Sequence, residues 1–204
     1  MKVHTYVIQH DKGFAPNPFW GVCTLACCKP QIREHAKKGD VIIGFGSKSR
    51  GLENKAIYWM RVEEIILFDE YWEDSRFATK RSVRGGSLMA WYGDNIYHRN
   101  KDTNEWIQEH SFHKDGEECG KGNLKRDVCR TEQVLIGRDY AYWGGSGPEV
   151  PRNLYGVVPL GRAWRCRYSD ADRDKLLTWI GSFPDRGFLA EPADWCRDHK
   201  SSLK

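Results

Sequence analysis

No run in the 204 residues approaches the ~18 apolar positions that a membrane-spanning helix needs. The start of the chain has no signal-like apolar region: Met1-Lys2-Val3-His4-Thr5 leads straight into strand-like sequence. Seven cysteines are present, an odd number, and none forms a Cys-x-x-Cys pair. These absences together lead us to expect a cytoplasmic protein with free thiols and no membrane association. Walker, Gly-x-Gly-x-x-Gly, His-Glu-x-x-His and Gly-x-Ser-x-Gly motifs are also missing, and there is no internal repeat or low-complexity tract. We expect no cofactor. Net charge is only +4, with a pI near 8.6. That permits nucleic-acid binding but falls short of the pI above about 9 of strongly basic nucleic-acid-binding domains.

Aromatic residues, in contrast, are plentiful: nine Trp, nine Tyr and eight Phe make up 13% of the chain. Three of them lie in Gly13-Phe14-Ala15-Pro16-Asn17-Pro18-Phe19-Trp20-Gly21. Two prolines and two glycines bar this run from a regular helix or a central strand. It reads as a rigid loop that holds flat rings, and it suggests a planar ligand. A second aromatic and Gly-rich loop follows Tyr140: Tyr142-Trp143-Gly144-Gly145-Ser146-Gly147-Pro148.

The pattern places a strand at 2–9, the aromatic loop to 22, and helical sequence over 23–38 restarted at Pro30, which suits a first helical turn. Gly39 reads as the C′ residue. A buried strand spans 40–46. A long β-rich run covers 56–68, bent at Glu63-Glu64, and Asp69 reads as the cap of a short helix. Gln133-Val134-Leu135-Ile136 marks a further ordered segment. Ser169 or Asp170 caps a helix over 169–181, with Leu176, Leu177 and Ile180 on one face. Residues 99–130 read as an irregular insert within a single domain of 1–204.

The helix–Gly39-Asp40–strand junction fits an ordinary αββ unit. It also resembles the PUA-like group of small barrels, which includes the EVE, ASCH and YTH domains. Gly44-Phe45-Gly46-Ser47 and Ile57-Tyr58-Trp59-Met60-Arg61-Val62-Glu63 carry that likeness. The expected class is α+β: a curved, mostly antiparallel sheet or open barrel with flanking helices. A closer resemblance covers residues 3 to 160. The 13–19 loop, Thr24-Leu25-Ala26, Cys28-Lys29-Pro30 with Ile32-Arg33, and Gly39-Asp40 resemble the N-terminal signature of the nucleotide modification associated domain 2 family. Tyr71-Trp72, Ser75-Arg76-Phe77 with Lys80, and Tyr142-Trp143-Gly144 with Pro151 resemble its later motifs. The resemblance implies a role near modified DNA bases, in phage or bacterial defence, with no established reaction.

That role would suit the rings, because a flipped base is read by stacking and by hydrogen bonds to its edge. Phe14, Phe19 and Trp20, with Tyr142 and Trp143 facing them, are the expected base-binding set, and Asn17 would read the edge. Lys29, Arg33, Arg76 and Lys80 are the expected phosphate ligands, and Arg162, Arg165 and Arg167 would share one strand face. Two alternatives stand beside this binding module. One is an enzyme acting on a modified base through His10, Asp11 or Asp139; the other is a small-nucleotide sensor with ordinary solvated charges. His110, His113, Cys119 and Cys129 are the metal-ligand candidates, though their spacing matches no standard finger or ribbon. Cys23, Cys27 and Cys28 read as small buried hydrophobes.

Overall fold

The computed structural model describes residues 1–113, 119–159 and 164–195, with the side chains of 119–121 outside the description. In chain order the strands and α-helices are β1 (Val3–Ile8), β2 (Cys23–Leu25), α1 (Pro30–His35), β3 (Val41–Gly46), β4 (Ala56–Arg61), β5 (Glu64–Leu67), α2 (Phe68–Glu73) and α3 (Leu88–Trp91). They continue with β6 (Tyr97–Arg99), β7 (Trp106–Gln108), α4 (Cys119–Val128), β8 (Gln133–Gly137), β9 (Tyr140–Tyr142), β10 (Trp164–Arg165), α5 (Asp170–Gly181) and β11 (Gly187–Phe188). The class is mixed α+β. The chain divides into two compact units, one of Met1–Lys12, Ala36–Glu63 and Gly137–Lys204, the other of Gly13–His35 and Glu64–Ile136.

The first unit is built on a six-stranded sheet in the order β10-β1-β3-β4-β9-β11. β1 pairs with β3, and β9 with β11, in parallel; the other pairs are antiparallel. The sheet is therefore mixed and open, where a mostly antiparallel sheet or barrel was expected. No sheet among the described residues closes into a barrel. β1 and β3 are buried at every position. Burial at every position is expected of strands covered on both faces, and β3 shows it as a continuous apolar run. Val41, Ile43, Phe45 and Trp59 pack with Leu176 and Ile180 of α5. That helix is capped as its sequence predicts: Ser169 Oγ accepts from the Asp172 amide at 3.1 Å. Gly44 is required by close approach, since a Cβ there would lie 2.5 Å from the Tyr58 ring and 2.6 Å from Ile8 Cδ1.

The second unit holds a three-stranded sheet, β2-β8-β5, and the β6-β7 hairpin. Two expectations are corrected here. Residues 23–25 are a buried strand, and the helix begins only at Pro30. β-branched Thr24 between two buried apolar neighbours suits a sheet position better than a helix. Within the 99–130 segment, expected to be irregular, the described residues include β7 and the ten-residue α4. The long run over 56–68 does break before Glu64: β4 joins the six-stranded sheet, whereas β5 pairs with β8. Asp69 lies inside the first turn of α2 rather than at its cap, and its carboxylate accepts from the Arg99 amide at 2.7 Å.

Candidate functional site

The aromatic loop is closed at its base by reciprocal backbone bonds between Asn17 and Thr24, both 2.9 Å. Inside it Phe19, Val22 and Cys23 are buried. At the tip Trp20 and Gly21 are both left-handed, with φ of 64° and 76°. Glycine adopts that conformation freely, but a tryptophan there costs roughly 1–2 kcal/mol. The turn aims the indole outward, and Trp20 is 47% exposed. Such strain persists where the surroundings over-determine the backbone.

Lys80 supplies that constraint. Its ammonium is fully buried and donates to Asn17 O at 3.0 Å, Asn17 Oδ1 at 2.7 Å and Val22 O at 2.7 Å. Both ends of the loop are thus stapled to one cation. Asn17 Nδ2 donates in turn to Tyr92 O at 2.9 Å. Buried Asp94 supplies the opposing charge. It accepts from Tyr71 Oη at 2.8 Å and from Thr24 Oγ1 at 2.7 Å. Burial lowers Lys80 to about 8 even though Asp94 favours its charge. Burial also raises the Asp94 carboxyl, against the pull of Lys80 and its hydrogen bonds.

A second constellation gathers around Cys28 in the same unit. Cys28 and Lys29 are consecutive left-handed residues (φ 58° and 45°) just before α1. Cys28 Sγ lies 3.5 Å from His113 Nε2, and the Cys28 amide donates to Asp127 Oδ1 at 3.0 Å. Tyr97 Oη donates to Asp127 Oδ2 at 3.1 Å. Arg126 reaches both carboxylate oxygens, at 3.0 and 3.1 Å, and places Nη2 3.6 Å from Cys28 Sγ. The potential ligand atoms of Cys28, His113 and Asp127 lie within 4.8 Å of one another. Burial, with the Asp127 charge adding to it, pushes the Cys28 thiol up to about 11. Burial lowers His113 to about 4, so its imidazole is neutral near pH 7.

His113 gives the first expected outcome. In metal-free protein an unfolded imidazole takes its proton near 6.5, the folded one only near 4. Between those values the unfolded state binds more protons, so stability falls as pH drops through that window. Urea titrations from pH 4 to 7 in a chelator should show that fall, and His113→Asn should reduce it. Parallel acid limbs for the two proteins would contradict the assignment.

The other expected site residues are distributed differently. Phe14 and Phe19 are core residues, and Phe14 packs on His113 at 4.4 Å between ring centroids. Tyr142 and Trp143 are buried in the first unit, where Tyr142 Oη donates to Asp11. A facing cage of five rings is thus corrected to one exposed ring, Trp20, since hydrophobic burial takes the others. Asn17 holds the loop rather than offering an edge. Arg33 and Lys80 are not surface phosphate ligands. Arg33 is fully buried and donates to the carbonyls of Cys28, Asp127, Thr131 and Gln133. Arg76 is exposed but paired with Glu64 and Asp74 at 2.8 and 2.6 Å. Lys29 is partly buried, and burial lowers its pKa.

The acid–base candidates are held by other groups. Asp11 accepts from Tyr142 and from the Ala193 amide, while exposed His10 sits 3.7 Å from Asp194. Asp139 is bridged to Arg61 and Arg186 at 3.2 and 2.9 Å. Among the described residues, His113 is the one expected metal ligand that enters a cluster. His110 packs on Trp91, Cys129 is exposed, and the Cys119 side chain lies outside the described residues. Arg162 also lies outside them. Sequence reasoning missed Asp94 and Asp127, and it took Cys28 for plain core. No local spacing links residues 28, 113 and 127.

Fold and site define a mixed α+β protein whose second unit displays a braced, exposed indole and also holds a partly buried thiol–imidazole–carboxylate cluster. The chain belongs to the nucleotide modification associated domain 2 family, whose model matches residues 1–199. Its context is therefore nucleotide modification. Neither the curated proteins nor the solved structures contain a match to it. No helix among the described residues is long and apolar enough to cross a membrane.

Proposed function

We propose that the protein is a binding module that recognises a modified nucleobase in DNA, with Trp20 as the stacking platform. One observation carries this reading: an exposed indole is held in a costly left-handed turn by a buried lysine. A ring needed only for packing would be turned inward, as Phe19 is. Stacking a base on such a ring contributes ~1–3 kcal/mol. The family's nucleotide-modification context supplies the ligand class, and phage DNA modification or defence against phage is the setting we favour.

Phosphate contacts are the smaller part of this reading. Around the second unit Arg76, Arg99, Arg126 and Arg130 are each engaged with carboxylates. Exposed pairs of this kind are worth little to stability, but they reduce the charge offered to a backbone. Recognition then rests on the base face more than on a basic groove. The expected result is tighter binding to duplexes carrying modified bases than to the same unmodified sequence. Equal affinity for both, by anisotropy titration, would contradict base recognition.

A further inference from the structure

We infer that Cys28, His113 and Asp127 form a binding site for a divalent transition-metal cation of the zinc class. The ligand chemistry is that of zinc: one sulfur, one imidazole nitrogen and one carboxylate oxygen. The spacing fits as well. With Zn–S near 2.3 Å and Zn–N near 2.0–2.1 Å, tetrahedral geometry separates sulfur and nitrogen by about 3.5 Å. Cys28 Sγ and His113 Nε2 are 3.5 Å apart.

The place between sulfur and carboxylate is already held by a cation. The Arg126 guanidinium bridges Asp127 at 3.0 and 3.1 Å and reaches Cys28 Sγ at 3.6 Å. Arg126 is itself 43% exposed, so its side chain can swing out to solvent. Its release would free Asp127 oxygens that now accept four hydrogen bonds, from Cys28, Tyr97 and twice from Arg126. The Cys28 amide and Tyr97 would remain as donors orienting the carboxylate, the usual support around a metal ligand. On binding, the Cys28 thiol loses its proton to solvent and the sulfur bonds the metal as thiolate. Three protein ligands leave a fourth position for water or another small ligand, as in open zinc sites. The inference rests on this cluster alone and stands apart from the stacking proposal.

Cobalt(II) is the probe, because a thiolate ligand gives it a charge-transfer band in the near ultraviolet and tetrahedral geometry gives intense visible bands. Titrating the full chain should produce both with equimolar stoichiometry. Arg126→Ala should bind up to about fivefold tighter, because a competing ion pair is gone. Cys28→Ser should lose the thiolate band, while Cys129→Ser should keep it. Zinc should also protect Cys28 of the unmodified protein from iodoacetamide, mapped by mass spectrometry, a readout that needs no variant to fold. Absence of the cobalt bands from both the natural protein and Arg126→Ala would overturn the site. So would equal alkylation of Cys28 with and without zinc.

Discussion

Lys80→Met is expected to destabilise the protein by about 3–5 kcal/mol, read as a lower urea midpoint. The methionine stem fills the space, but three oxygens on Asn17 and Val22 lose the ammonium as a donor. Asp94 is left as a buried carboxylate without its cation. Breaking such a pair costs more than the pair contributes, because the remaining charge stays desolvated. Adding Asp94→Asn to Lys80→Met should therefore recover part of the loss. The amide still accepts from Tyr71 or Thr24 and carries no charge. A double variant as destabilised as the sum of the two single ones would contradict this coupling.

Arg33→Lys is expected to cost a similar amount, about 3–5 kcal/mol, although charge is conserved. The guanidinium serves four carbonyls spread from Cys28 to Gln133 and lies over the Phe68 ring at 5.2 Å. A lysine ammonium is a compact donor and cannot span that set. Each buried carbonyl left without a donor costs about 1–3 kcal/mol. An Arg33→Lys midpoint equal to that of the natural protein would show that these carbonyls find other donors.

Both residues show where sequence was legible and where it was not. Elements set by local chemistry could be read directly: the buried run of β3, Pro30 opening α1, Ser169 capping α5. β2 was misread because its partner β8 lies more than a hundred residues downstream, and no local pattern encodes that pairing. Lys80 and Arg33 read as surface cations because burial of a long charged side chain is rare unless it is paired. Their partners, Asp94 and the carbonyls near 127–133, become visible only on folding. The aromatic loop was legible as rigid and exceptional. Which of its rings turn inward was not, since that depends on φ at Trp20 and Gly21.

Glycine at position 20 separates the task of the loop from its fold. Trp20→Gly relieves a left-handed side chain worth roughly 1–2 kcal/mol, offset by greater freedom in the unfolded chain and the loss of indole contacts. Stability should therefore change by no more than about 1 kcal/mol. Affinity for modified-base DNA should fall on the order of tenfold, the lower part of the stacking range, while Trp20→Phe retains most of it. Measured together by thermal denaturation and anisotropy, that pattern is what a braced stacking platform requires. A folded Trp20→Gly protein that binds modified DNA as well as the natural chain would contradict it.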